Sequence, residues 1–259
     1  LDYETRLYHA PGARPTADVD LLVPAEHRRA AFAVLDRLGF EPRAAAPGFD
    51  NADYHEVAWT RTDAEIDLHL ALAPLVRCRI DYRAIWREAE PHQLGASETR
   101  VLARPHAAIF QALHMAIDHF DVPAIYLIDL MRLLPSAAEA ARAREIARAW
   151  HLRRPLATAL ALAAAFVPPS FAGPMSPPSP LARRVIAGYG PLGRLPRREQ
   201  LLRKFLHFDT FGEGLRYLVV QSRRGVGELF EQRVRRRSAR ERLNLAGTRS
   251  SEKAVEVRD

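Results

Sequence analysis

The sequence predicts an α+β protein, with a small mixed sheet followed by a mostly helical C-terminal region. Three observations carry that prediction. In the first hundred residues, runs of two-residue alternation flank a stretch with helical spacing. Beyond about residue 103 the apolar spacing is helical throughout. Six prolines between Pro168 and Pro180 then interrupt regular structure, because each lacks the N–H that a helix or ladder needs.

Residues Asp18 to Val23 read as a short strand, ended by Pro24. Val19, Leu21 and Val23 share one face, and Asp18, Asp20 and Leu22 share the other, since side chains alternate along a strand. A helix is expected from about Ala25 to Leu38, closed by Gly39. Two strands come next, Tyr54 to Arg61 and Glu65 to Leu72, joined by a polar turn at Thr62–Ala64. In the second, Ile66, Leu68 and Leu70 point one way and Glu65, Asp67 and His69 the other.

Helices are expected over Ala107–Phe120, Ala124–Leu134, Ala137–Trp150 and Leu156–Phe166. Pro123 separates the first two, Ser136 is placed to cap the third, and the fourth is apolar nearly all round, as a buried helix would be. Two more are expected over Arg197–Phe208 and Glu213–Arg237. The expected domain organisation is an α/β unit over 1–103, a helical domain over 104–167, a Pro-rich linker over 168–180, a basic helical extension over 181–240 and a disordered tail over 241–259.

Composition narrows the class. Hydrophobic residues at 48% and charged residues at 27% are ordinary for a globular protein. No apolar run approaches the roughly 20 residues of a membrane span, and no secretory signal is visible, so the plain expectation is a cytoplasmic protein. The one cysteine, Cys78, rules out an internal disulfide and a cysteine-based zinc cluster. All but Lys204 and Lys253 of the 38 basic residues are arginine, a ratio that reads as the coding bias of a GC-rich genome. The net charge of +7, with Arg235–Arg237 and Arg240 near its C-terminal end, makes nucleic acid a possible but not favoured partner.

Asp18 and Asp20, two apart on a strand, project side by side. Their repulsion is relieved when a cation sits between them, and oxygen ligands at that spacing suit Mg²⁺. A solvated strand end is the bland alternative. Asp67 stands in an alternating apolar strand, where an aspartate is disfavoured unless a metal, substrate or basic neighbour meets it. His69 lies on the same face and suits a phosphate, a metal, or a hydrogen bond to Asp67. Arg14 offers either forked donors for a phosphate oxygen or a salt bridge that locks the loop. His114 and His119, five apart on a helix, are out of metal-binding register and read as structural. Asp129, between apolar residues, is expected to pair with one of those histidines or with Arg132, and Phe205, Phe208 and Phe211 read as core.

Taken in order, the motifs are more specific than any one of them. Arg14-Pro15-Thr16-Ala17-Asp18-Val19-Asp20-Leu21-Leu22-Val23 resembles the signature of an uncharacterised bacterial nucleotidyltransferase-like family, within the superfamily that shares the DNA polymerase beta-like fold. Ile66-Asp67-Leu68-His69 resembles its second motif. Leu113-His114, His119 and Leu127-Ile128-Asp129-Leu130 fit a third stretch, and the resemblance covers about residues 1–135 well. It implies that Asp18, Asp20 and Asp67 ligate Mg²⁺ or Mn²⁺, and that Arg14 and His69 serve nucleotide binding. It also implies a nucleoside triphosphate substrate, from which a nucleoside monophosphate passes to a hydroxyl acceptor of unknown identity. The superfamily's glycine-containing phosphate turn belongs, by the resemblance, just before Leu1, which leaves open a fragment lacking that turn or a degenerate member of the family. Two alternatives stand beside transfer: an inactive fold used for binding or regulation, and nucleic-acid binding through the basic C-terminal helices.

Overall fold

The computed structural model describes residues 3–8, 12–16, 18–43, 56–73, 79–117, 122–166, 180–188, 208–210 and 212–215. The chain divides into two compact units, 1–213 and 214–259, and the sheet, the main helices and the acidic residues all belong to the first.

A π-helical turn, Glu4–Tyr8, precedes strand β1, Val19–Leu22. A 3-10 turn at Ala25–His27 leads into helix α1, Arg28–Arg37. Gly39, at φ +76°, ends that helix: its N–H donates to the Asp36 carbonyl and the Phe40 N–H to the Leu35 carbonyl, each 3.0 Å away. Glycine takes this left-handed position without the Cβ penalty. Strands β2 (Glu41–Pro42), β3 (Glu56–Arg61) and β4 (Ala64–His69) complete a mixed sheet in the order β1-β4-β3-β2. β1 runs parallel to β4, and the other pairings are antiparallel.

Alternation gives the sheet two unlike faces. On one, Val57, Trp59 and Leu68 pack with Leu35 and Phe40, joined by the partly buried Val23 and Ile66. Phe32 of α1 meets Trp59 edge to face at 5.2 Å, which seats the helix there. The opposite face carries Asp20, Asp67 and His69. There Leu22 packs against a larger, helical core, and His69 meets Phe110 edge to face at 5.7 Å.

The short helix α2 (Tyr82–Glu88) comes after the sheet, and then a hairpin of β5 (Glu90–Leu94) and β6 (Ser97–Val101), turned by Gly95 at φ +59°. The helical core is built by α3 (Arg104–Ile117), α4 (Ala124–Leu133), α5 (Ala137–Ala149) and α6 (Arg153–Phe166), with α7 (Pro180–Ala187) packed on α6. Ser136 caps α5 as expected, accepting from the Glu139 N–H at 3.2 Å. α6 starts at Arg153, ahead of the expected Leu156, because Asp209 accepts from the Arg153 and Arg154 N–H groups at 3.0 and 2.8 Å and so caps it from a distant segment.

The predicted α+β class, mixed sheet then helices, is what the chain adopts. Strand β2, helix α2 and the β5–β6 hairpin are additions that the sequence reading left out, and α7 lies at the start of the stretch expected to be a basic helical extension. Pro180, placed in the expected linker, opens α7, where its fixed φ and missing N–H suit a first helical residue. Of the helix expected over 197–208, only Phe208 is described, buried and not helical. Of that expected over 213–237, residues 213–215 are described and are helical. Cys78, His119, Phe205, Phe211, the rest of the linker, the basic run and the tail lie outside the described residues. Among the described residues, no helix is long and apolar enough to cross a membrane.

Candidate active site

β1 and β4 place the acids by register. Asp20 lies opposite Asp67 across the parallel pair, and Leu22 lies opposite His69. On its other side β4 sets Asp67 beside Ala58 and His69 beside Glu56. Neighbouring strands stand about 4.8 Å apart, so side chains in one row share a single patch of the face. Asp18, just before β1, is exposed and near enough for its charge to act on Asp67. The structure therefore brings together Asp18, Asp20, Asp67 and His69, and adds Glu56.

His69 is 5% exposed, and its Nε2 donates to Asp20 Oδ1 at 2.7 Å. The sequence reading offered Asp67 as its hydrogen-bond partner; the observed partner is Asp20, reached diagonally across the strand pair. Glu56 Oε2 stands 3.8 Å from Nδ1. Burial lowers the affinity of His69 for its proton, but the bond to Asp20 and the charges of Asp20, Glu56 and Asp67 outweigh it and hold the imidazole above its ordinary value. The reverse applies at Asp20: burial pushes the carboxyl up, and the His69 bond and charge, aided by His114, bring it below the usual carboxylate range.

Asp67 differs. Burial and then the negative charges of Glu56, Asp18 and Asp20 push its carboxyl up, against a weaker pull from His69. Adjacent strands thus present one carboxyl held ionised and one whose ionisation is opposed by its acidic neighbours.

Arg14 takes the salt-bridge alternative: Nε donates to Asp129 Oδ2 at 3.0 Å, and Nη1 turns to the Pro15 carbonyl and Thr16 Oγ1 of its own loop. Asp129 takes its second bond from Tyr8 Oη at 2.7 Å, so its partners are Arg14 and Tyr8 where the sequence pointed to a histidine or Arg132. Arg132 instead lies over the Tyr8 ring. Tyr8 escaped the sequence reading, since nothing local marks it. Glu56 was legible as a polar residue on a strand face and was passed over. His114 is half-buried, with ring contacts to Phe110 and Tyr126, and its charge acts on Asp20.

A family described as uncharacterised nucleotidyltransferase matches residues 3–168, well over half of the chain, and takes in all three motifs. The chain belongs to this nucleotidyltransferase family. No curated protein and no solved structure matches it.

The nucleotidyltransferase fold commonly uses a divalent metal, and the chemistry of the donor set here fits one. Asp20 and Asp67 offer hard carboxylate oxygens in one row of the sheet, and the Asp67 carboxyl is raised by burial and then by the charges of Glu56, Asp18 and Asp20. Among the described residues, no set of three His, Cys, Asp or Glu side chains is already arranged to hold an ion. Mg²⁺ takes only one or two carboxylates besides waters and substrate phosphates, so a complete protein cage is not required.

Proposed function

We propose that this chain is a metal-dependent nucleotidyltransferase that moves a nucleoside monophosphate from an NTP to a hydroxyl of an acceptor. The observation that carries the reading is the Asp67 carboxyl. It faces Asp20 across a parallel strand pair and is pushed up by burial and by Glu56, Asp18 and Asp20. Such a concentration of negative charge is what a divalent cation relieves.

Asp18, Asp20 and Asp67 would hold Mg²⁺ or Mn²⁺, which when bound polarises the α-phosphate and neutralises charge on the departing pyrophosphate. His69 holds Asp20 in one orientation through its 2.7 Å bond. In the transfer, the acceptor oxygen forms a bond to the α-phosphorus and gives its proton to the Asp67 carboxylate. The bond from that phosphorus to the bridging oxygen breaks, and pyrophosphate leaves. Arg14, held by Asp129, serves the nucleotide by setting the loop before Asp18.

A second reading is nucleotide binding without turnover. Pyrophosphate release from each of the four NTPs with Mg²⁺ or Mn²⁺, alongside metal-dependent NTP binding, separates the two. Transfer predicts release that Asp18→Asn and Asp67→Asn abolish. Binding with no release under any acceptor tried supports the second reading, and the absence of both removes the enzyme.

A further inference from the structure

We propose that Asp129 is a positioning residue for the acid face, a buried carboxylate on α4 that holds Tyr8 and Arg14, both ahead of β1 in the chain. The proposal rests on the nucleotidyltransferase reading above.

The Asp129 side chain is 0% exposed. Along α4 its neighbours Leu127, Leu130 and Met131 are buried apolar residues, so a leucine would fill this position with no desolvation cost. A carboxylate here is tolerable only because partners meet it. Oδ1 accepts from Tyr8 Oη at 2.7 Å, and Oδ2 accepts from Arg14 Nε at 3.0 Å. Both partners belong to one short segment. Arg132, one turn further along α4, adds a third hold on it. Its guanidinium lies 4.1 Å from the Tyr8 ring centroid, and Nη1 donates to the Leu7 carbonyl at 2.7 Å.

From Arg14 the hold continues towards the acids. Nη1 reaches the Pro15 carbonyl at 3.4 Å and Thr16 Oγ1 at 3.3 Å, and Asp18 comes two residues later. Among the described strands β1 lies at the sheet edge, paired with β4 alone. The ladder holds β1 from Val19 onward, and the staple reaches as far as Thr16. Carboxylates that ligate a metal must be held to within about half an ångström, and outer partners that orient them commonly matter tenfold or more to metal affinity.

The test uses Mn²⁺ alone as the probe, titrated into the full chain and followed by the EPR signal of free Mn²⁺, with melting temperature recorded for each variant. Asp129→Asn and Tyr8→Phe, which each remove part of the staple, should weaken Mn²⁺ binding by about tenfold in folded protein. The double variant should lose little beyond the stronger single, because both act through one segment. Wild-type Mn²⁺ affinity in folded variants, even with a lowered melting temperature, would reduce Asp129 to a structural role and overturn the proposal. Should Asp129→Asn fail to fold, Tyr8→Phe, which removes one hydroxyl, decides by the same criterion. Failure of the wild type to bind Mn²⁺ would overturn the reading of the acid face itself, and the positioning role with it.

Discussion

His69 Nε2 and Asp20 Oδ1 stand 2.7 Å apart, joining the two strands of the acid face through side chains 49 residues apart in sequence. The imidazole is buried and its proton affinity is raised, so wherever the ring is protonated the contact is an ion pair as well as a hydrogen bond. A histidine whose folded value lies above 6.5 adds stability that is complete below 6.5 and is lost as pH rises through the folded value. Replacing His69 by Gln should leave burial as the dominant influence on Asp20, so its carboxyl should move above the ordinary aspartate value. Carbon-13 NMR titration of the Asp20 carboxyl reads this directly, and an unmoved titration would show that the histidine does not control it.

Asp67 should trade stability against function. Its carboxyl is raised, so the stabilising influence of its neutral form fades as pH climbs from the ordinary aspartate value through the raised one. Asp67→Asn should therefore melt higher than wild type at pH 7. The gap should close below about pH 3.8, where both forms are neutral. The same change should reduce nucleotidyl transfer by at least about a hundredfold. Equal melting at pH 7 would remove the argument that Asp67 is held against repulsion.

His106 gives the fold a pH dependence of the opposite sign. It is buried, stacks on Trp150 at 5.2 Å, and has its proton affinity lowered by burial despite Glu88 nearby. The stability of the neutral ring is present above pH 6.5 and is lost as pH falls through and below that value. His106→Phe, which keeps an aromatic ring against Trp150, should gain relative to wild type between pH 8 and pH 5. Melting curves at the two pH values check it, and a constant difference would contradict it.

Asp209 caps α6 from 56 and 55 residues away, taking the Arg153 and Arg154 N–H groups. Asp209→Ala leaves both groups without that partner and should destabilise the protein by about 1–2 kcal/mol. Denaturant unfolding measures the loss, and a change within about 0.5 kcal/mol would mean that other groups satisfy this helix end.

The parts of the fold legible in the sequence are those set by period and local chemistry. Alternation around Asp20 and Asp67 placed both acids on one sheet face, as the register requires. Gly39 and Ser136 announced their helix ends because capping is decided within a few residues. The β5–β6 hairpin was silent. Its strands are exposed along nearly their whole length, so no buried face imposes an alternating pattern, and Pro91 argues against a strand. The Tyr8–Asp129 bond spans 121 residues and the His69–Asp20 bond 49. Such pairings depend on how elements stack, which spacing along the chain does not encode.

The central claim is that the face carrying Asp20 and Asp67 is where a divalent cation and a nucleoside triphosphate meet. A crystal structure of the protein with Mn²⁺ and a non-hydrolysable NTP analogue, with anomalous data locating the metal, tests it most directly. The account predicts an anomalous peak about 2.0–2.2 Å from carboxylate oxygens of Asp20 and Asp67, with analogue phosphates completing the shell. A nucleotide bound elsewhere, or an acid face with neither metal nor phosphate beside it at saturating concentrations of both, would contradict it.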